Sequence, residues 1–293
     1  MILNSLTIVN LATLARQSLL TEVSLAPKPG LVDPFSKGAH DDMDYELFVT
    51  SIEALTPFLH EYVQLGQQAT ELPQLFADLR ATGKLGETAM LAATDQVNTH
   101  KGANFSYAVL LGALGWCLQR QGLSQLQALQ FDPVFATVQI MTRGITATDF
   151  AQLPTKEQLS YGEKLYLTHG ILGVRGEAEA GYPALRQLAL PFLQGQADLP
   201  DVFRYARLMV YLIAQLEDGN LLHRGGVAGL NRVQAYARAL MATTWNDPER
   251  LTLALQQFDQ QLIAWHLSPG GTADLLALSI FFDQLGRVSL ANE

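Results

Sequence analysis

The chain has 293 residues, of which 48% are hydrophobic and 16% charged, and its formal net charge is -9 at pH 7. This acidic balance argues against non-specific binding to nucleic acids or to anionic membranes. The longest apolar stretch, residues 107–118, is shorter than the roughly 20 residues that a membrane-spanning helix needs.

Apolar residues at helical spacing predict amphipathic helices along most of the chain. Thr155 and Gln158 form the pattern of a capping box, and Asp247 followed by Pro248 is a typical helix start. In chain order, helices are predicted near 8–19, 44–65, 73–93, 103–121, 183–193, 202–216, 228–241, 251–265 and 273–286.

Strand signals are scarce, because no run of alternating β-branched or aromatic residues lies between turn residues. The segment 122–154 mixes Gln, Gly and Pro and is the one plausible soft joint, but motifs lie on both sides of it. We therefore predict a single all-α domain over residues 1–293, a multi-helix bundle whose Gly-rich loops form a nucleotide site.

Cys117 is the single cysteine, which excludes an internal disulfide and a cysteine-based zinc site. We expect it to be a buried thiol. The first 20 residues lack the basic start and dense apolar block of a signal peptide, so we expect a cytoplasmic protein.

Five short segments interrupt the helical pattern and hold 13 of the 23 glycines and four of the six histidines. Glycine lets a backbone turn sharply or approach a ligand closely, so these segments are predicted to be loops lining a polar site. They are residues 27–44, 98–106, 168–181, 217–231 and 268–274.

Three of these segments run directly into a predicted helix. The unpaired N–H groups and positive dipole end of a helix start can hold a phosphate, and adjacent cations strengthen the binding. The alternative is that these glycines only mark loop ends. The three starts are His100-Lys101-Gly102, Arg224-Gly225-Gly226 and Gly270-Gly271-Thr272.

Carboxylates occur in close sets that either stay solvated, share a proton or bind a cation such as Mg²⁺. Asp42 and Asp44 follow Asp41, and Glu177 and Glu179 flank Ala178. The alternative for the aspartates, and for Asp274, is an acidic first helical turn stabilised by the helix dipole.

Among the histidines, His40 and His100 lie in Gly-flanked polar turns and are candidates for acid, base or phosphate donor. His169 and His223 remain ambiguous, and His60 and His266 are interpreted as structural. No zinc-type spacing, phosphate loop of the Walker type, Rossmann fingerprint or Gly-x-Ser-x-Gly elbow occurs.

The same segments resemble the signature blocks of the triphosphoribosyl-dephospho-CoA synthase family, in the family's order and spanning residues 22–277. Departures occur at Gln96, Ala180 and Gly219, none of which removes a charged group. The matching blocks are Pro27-Lys28-Pro29-Gly30-Leu31-Val32-Asp33, Gly38-Ala39-His40 with Asp42-Met43-Asp44, Val97-Asn98-Thr99-His100-Lys101-Gly102-Ala103, Arg175-Gly176-Glu177-Ala178-Glu179, Asn220-Leu221-Leu222 with Arg224-Gly225-Gly226, and Ser268-Pro269-Gly270-Gly271 with Ala273-Asp274-Leu275-Leu276.

The resemblance implies that the ribose 2′-hydroxyl of 3′-dephospho-CoA attacks C1 of the ATP ribose, releasing adenine. The product would be the prosthetic-group precursor for the acyl-carrier subunit of citrate lyase or malonate decarboxylase. Because the family's new linkage is α and ATP is a β-glycoside, inversion implies a single displacement, by analogy with inverting glycosidases.

Residue type and motif context then suggest roles in this reaction. Glu177 is our first choice for the base that takes the hydroxyl proton, and His40, Asp33 or Asp218 would assist departing adenine. The candidate magnesium ligands are Asp42, Asp44, Glu177 and Glu179. The candidate substrate-binding residues are Lys28, His100, Lys101, Arg175, Arg224, Gly225, Gly226, Gly270 and Gly271.

Two alternatives remain open from the sequence. One is a helical Mg²⁺-dependent hydrolase of an N-glycosidic or phosphate bond, and the other is a nucleotide- or CoA-binding module without turnover. The sequence also leaves the assembly state open, with a homodimer among the arrangements considered.

Overall fold

The structure is a computed structural model that describes residues 5–151, 153, 159–243 and 246–288. These residues form helices joined by loops and contain no strand, which confirms the all-α prediction. The helices are α1 Ser5–Ser24, α2 Tyr45–Gln68, α3 Leu72–Ala93, α4 Lys101–Leu118, α5 Leu123–Ala128, α6 Asp132–Met141, α7 Ile145–Phe150, α8 Tyr161–His169, α9 Gly173–Glu179, a π-helix Ala184–Ala189, α10 Leu190–Gln194, α11 Asp201–Gln215, α12 Gly219–Thr243, α13 Pro248–Ala264 and α14 Gly270–Leu285.

Two helices, α4 and α14, lie at the centre of the molecule. Both are apolar around most of their circumference, as expected for a helix buried by neighbours on all sides. Helix α4 packs against α2, α3, α6 and α14, while α14 also packs against α1 and α11. The starts of α4 and α14, which carry two of the Gly-rich motifs, are therefore fixed by the core.

Local capping explains where two of the predicted helices begin. The Asp44 side chain accepts from Leu47 N at 3.0 Å and caps α2. The Asp247 side chain accepts from Glu249 N and Arg250 N at the start of α13, confirming the cap predicted there. No described helix combines the length and apolarity that crossing a membrane requires.

The structure corrects the sequence reading of the middle of the chain. The predicted soft joint contains α5, α6 and α7, which are too short to show a clear apolar period. The predicted capping box at Thr155 and Gln158 lies outside the described residues. Helix α8 instead begins after Ser160, where Ser160 N donates to Glu163 Oε2 at 2.6 Å in a capping box.

The prediction that motif segments are loops is wrong for two of them. Residues 173–179 form α9, and α12 begins at residue 219 rather than near 228. At Gly226 the backbone is non-helical, with φ 60° and ψ -168°, a conformation that glycine adopts without steric cost. A kink at Gly226 therefore divides α12 close to the predicted helix start.

Candidate active site

The first motif loop, residues 25–44, is held in place by the buried Asp33 and the half-buried Asp259. Asp33 Oδ1 accepts from the backbone N–H groups of Phe35 and Ser36 at 2.8 and 2.9 Å, and Asp33 Oδ2 accepts from Lys28 N at 3.1 Å. Asp259, on α13, accepts from Gly30 N at 2.8 Å. Asp33 thus organises the turn, and its predicted role with adenine remains a prediction.

His40 connects three of the motif blocks. Its Nε2 lies 2.8 Å from Ser268 Oγ, and its Nδ1 lies 3.1 Å from Arg224 Nη2. Arg224 also donates from Nη1 to Ala39 O at 2.7 Å. Because a guanidinium only donates, Nδ1 accepts and Nε2 carries the proton given to Ser268.

The charge state of His40 follows from these surroundings. Burial, followed by the positive charge of Arg224, lowers the pKa of His40 to about 4. The ring is consequently neutral at pH 7 and positions Arg224 and Ser268.

Asp218 joins the starts of two helices. Its Oδ1 accepts from Asn220 N and Leu221 N at 2.9 and 3.2 Å. Its Oδ2 accepts from the backbone N–H and hydroxyl of Thr272 at 2.7 and 3.0 Å. Burial raises the pKa of Asp218, and these four hydrogen bonds oppose the rise. In this arrangement Asp218 holds the fifth and sixth motif blocks together.

Lys28 lies in the interior rather than on a surface. Its ammonium donates to Glu22 Oε1 at 2.5 Å, and the Lys28 and Glu22 side chains are only 2% and 4% exposed. Lys28 was predicted to bind a phosphate, whereas here its charge compensates the Glu22 carboxylate.

Asp274 lies at the contact between α4 and α14. The backbone N–H of Ala103 donates to its carboxyl group. Burial is the main cause that raises the pKa of Asp274 to about 8, and the negative charges of Glu22 and Asp218 add to it. A Cβ added to Gly102 would overlap Asp274 Oδ2 and lie 3.5 Å from Val174.

These contacts bring the start of α4, the start of α14 and helix α9 to one place. Glu22 and Asp274 are central residues here and were not among the predicted site residues. Glu22 continues the apolar stripe of α1 three residues after Leu19, and a charge on a buried stripe was the available signal. Asp274 resembled an ordinary first-turn acid, and its place in the sixth matching block was the available signal.

His100 is the residue that precedes α4, and it is 4% exposed. Its Nδ1 lies 2.7 Å from Ser51 Oγ, which accepts from Thr99 Oγ1 at 2.6 Å. Burial, with a contribution from the charge of Lys28, lowers the pKa of His100 to about 3. The ring is neutral, and its Nε2 has no hydrogen-bond partner among the described residues.

Two of the predicted phosphate-binding cations, Lys101 and Arg175, lie nearer the surface, each beside a carboxylate. Lys101 Nζ donates to Glu87 Oε1 at 2.5 Å, and Arg175 Nε donates to Asp149 Oδ2 at 2.7 Å. The Lys101 side chain is 45% exposed, so this ion pair is open to exchange.

Glu177 is partly buried on α9, where its Oε2 accepts from Ala184 N at 3.2 Å. Burial raises its pKa above the usual range. Burial raises the pKa of the Tyr182 hydroxyl, and the negative charges of Glu177 and Asp274 raise it further. Tyr182 is therefore close enough to both carboxyl groups for their charges to affect its pKa.

The four glycines singled out in the fifth and sixth blocks allow close packing between those blocks. A Cβ on Gly270 would overlap Asn220 Nδ2, and one on Gly271 would lie 3.2 Å from Asp218 Oδ2. A Cβ on Gly225 would lie 2.7 Å from Leu267, and Gly226 forms the kink in α12.

A family model described as ATP:dephospho-CoA triphosphoribosyl transferase matches residues 8–292. The chain belongs to this family. It is 46% identical over 281 residues, 93% of this chain and 95% of the relative, to a protein of Streptococcus equi subsp. zooepidemicus strain MGCS10565. It is 44% identical over 287 residues, 95% of this chain and 97% of the relative, to one of Streptococcus pyogenes serotype M49 strain NZ131. Both are named probable 2-(5''-triphosphoribosyl)-3'-dephosphocoenzyme-A synthase, and no solved structure matches the chain.

The predicted magnesium ligands of this triphosphoribosyl transferase are Asp42, Asp44, Glu177 and Glu179. Glu179 accepts from Gly144 N at 2.6 Å and also from the N–H and hydroxyl of Thr146, which occupies both of its oxygens. Asp44 caps α2, and the Asp42 side chain is 64% exposed.

The described residues contain no group of three metal-ligating side chains, so these carboxylates and Glu177 do not form the predicted set. The donor groups do not fit a magnesium ion held by the protein alone.

Proposed function

We propose that the chain transfers the triphosphoribosyl group of ATP to the ribose 2′-hydroxyl of 3′-dephospho-CoA and releases adenine. Membership of the family and the names of its relatives support this activity. The observation that carries it in the structure is the set of contacts between motif blocks distant in sequence. His40 contacts Ser268, Asp218 contacts Thr272, and Gly102 lies against Asp274.

Glu177 is the proposed base in this reaction. A carboxylate whose pKa is raised by burial takes up a proton more readily near neutral pH than an exposed one does. When the 2′-oxygen of the acceptor attacks C1 of the ATP ribose, Glu177 would accept the hydroxyl proton. The sugar centre inverts in a single displacement, without a covalent sugar–enzyme intermediate.

The triphosphate is proposed to lie at the start of α4, where the helix dipole favours an anion. His100 is buried at this end of the helix, and Lys101 is the exposed cation beside it. Arg224 is exposed at the neighbouring block, while Arg175 is partly exposed on α9. The Lys101 ammonium would leave the Glu87 carboxylate and bind a phosphate oxygen, because the triphosphate carries more negative charge than one carboxylate does.

Magnesium is proposed to enter with ATP, because phosphate oxygens and water supply most Mg²⁺ ligands at nucleotide sites. The reaction is proposed to run in the cytoplasm. The product is proposed to pass to an acyl-carrier-protein system, that of citrate lyase or malonate decarboxylase. A homodimer stays a prediction.

Mass spectrometry of the acceptor tests the proposed function. After incubation with ATP, Mg²⁺ and 3′-dephospho-CoA, we expect the acceptor to gain a ribosyl group that carries three phosphates. An unmodified acceptor accompanied by ADP or AMP would show phosphate chemistry instead and would overturn the proposal.

A further inference from the structure

We propose that Asp274 donates the proton that allows adenine to leave. This inference rests on the proposed function and adds an acid to the proposed base Glu177. Three independent features of the structure support it: the access to Asp274, the distribution of charge around it, and a buried histidine nitrogen without a partner.

Access to Asp274 depends on Gly102. The Asp274 side chain is partly exposed although it is enclosed by the starts of α4 and α14. A Cβ on Gly102 would overlap its Oδ2, so this oxygen can lie against the first turn of α4 only because residue 102 has no side chain. A small ligand at the start of α4 would therefore lie beside the Asp274 carboxyl group.

The charges around Asp274 keep its proton in place. Lys28 compensates Glu22 through the 2.5 Å ion pair, and Asp218 accepts four hydrogen bonds. Among the described residues, Asp274 has one N–H donor, from Ala103, and no cation. The third carboxyl group of such a cluster retains its proton more readily than an isolated one.

The titratable and charged groups that face Asp274 come from several elements. Tyr107 on α4 feels the charges of both Glu22 and Asp274, and Tyr182 feels those of Asp274 and Glu177. The charged neighbours of Asp274 are Glu22 on α1 and Asp218 before α12. Burial and the negative charges of these two residues all raise the pKa of Asp274.

His100 supplies the observation that points to a ligand. Thr99 donates to Ser51 Oγ, which leaves the Ser51 proton for His100 Nδ1 and places the ring proton on Nε2. This buried N–H has no acceptor among the described residues, a costly state unless a ligand supplies one. The ring faces Lys28, whose charge affects its pKa and whose ammonium contacts Glu22.

The proposed step is balanced in atoms and electrons. The bond from C1 of the ribose to N9 of ATP breaks, its electron pair goes to the purine, and a purine nitrogen takes the proton of Asp274. The 2′-oxygen of the acceptor forms the new bond to C1 and gives its proton to Glu177. Water then returns a proton to Asp274 and removes one from Glu177.

The test compares the wild type with Asp274→Asn over pH 6 to about 10, following adenine release with saturating substrates. For the wild type we expect kcat to fall above pH about 8, as Asp274 loses its proton. Asparagine still accepts from Ala103 N but carries no acidic proton. Asp274→Asn should therefore lower kcat at least about 100-fold, change the KM for ATP little, and lack the alkaline fall.

Two results would overturn the assignment. One is a wild-type kcat that stays constant across pH 8, which requires no variant to fold. The other is an Asp274→Asn protein that retains the wild-type rate or the wild-type alkaline fall. A purely structural role would alter KM and thermal stability and leave that fall in place. A wild type that releases no adenine would refute the proposed function instead, so the two failures are distinguishable.

Discussion

Gly102 lies directly against Asp274, so that a methyl group at Gly102 would overlap the Oδ2 oxygen. Gly102 belongs to the first turn of α4, a helix in which alanine is intrinsically more favourable than glycine. Gly102→Ala should therefore leave the fold intact but cover or displace the carboxyl group. We expect a loss of kcat of at least about tenfold, corresponding to about 1.4 kcal/mol of transition-state stabilisation.

Gly83 provides the matched control for this substitution. It lies within α3, and an added Cβ would come no closer than 3.9 Å to a neighbouring atom. Gly83→Ala should keep full activity and raise stability by up to about 1 kcal/mol. Steady-state kinetics and thermal unfolding of both variants check the prediction, and equal activity of Gly102→Ala and Gly83→Ala would contradict it.

Glu177→Gln should remove the proposed base while keeping the hydrogen bond from Ala184 N. We expect turnover to fall at least roughly 100-fold with ATP binding largely retained. Single-turnover adenine release measures the first quantity, and equilibrium titration with ATP measures the second. Near-normal turnover would remove Glu177 as the base.

Glu179 is the matched comparison on the same helix. Because it accepts from Gly144 and Thr146, Glu179→Gln should weaken the start of α7 and lower thermal stability. Its loss of activity should be smaller than that of Glu177→Gln. A larger loss of activity in Glu179→Gln than in Glu177→Gln would contradict the assignment of Glu177 as the base.

Arg224→Gln should raise the pKa of His40 from about 4 toward its ordinary value of 6.5. The guanidinium is a positive charge 3.1 Å from Nδ1, and its removal makes protonation of the ring easier. Asp42→Asn should act with the opposite sign, because the Asp42 carboxylate raises this pKa. An NMR titration of the His40 ring protons measures both shifts, and shifts of the same sign in the two variants would contradict the arrangement.

Lys101→Ala should raise the KM for ATP and leave kcat nearly unchanged. Glu87→Gln releases the Lys101 ammonium from its ion pair, so ATP affinity should be equal or tighter in that variant. Lys84→Ala removes an exposed cation on α3 and is the charge-matched control. Unchanged ATP affinity in Lys101→Ala, or an equal loss in Lys84→Ala, would contradict a phosphate contact.

The long helices were predictable because their apolar residues recur at a helical period. The stripe over 202–216 corresponds to α11 at Asp201–Gln215, and Asp247 with Pro248 begins α13 as predicted. Helix α9 was missed because Gly173 and Gly176 disfavour a helix locally. Packing of α9 against α4, α6 and α7 outweighs that preference.

The candidate site was predictable in composition but only partly in geometry. Glycine beside charged residues marked the motif segments, and the structure brings His40, Arg224 and Ser268 together. The sequence could not show that Lys28 is paired with Glu22 in the interior. Such pairings depend on which helices meet in the core, and no local pattern records that.

Adenine release with and without 3′-dephospho-CoA tests the central claim most directly. With ATP and Mg²⁺ present throughout, the proposed transfer predicts adenine only when the acceptor is added, in an amount equal to the modified acceptor. Adenine formed at the same rate without acceptor would indicate hydrolysis by water. ATP binding without any adenine in either reaction would indicate a nucleotide-binding module, and both results would contradict triphosphoribosyl transfer.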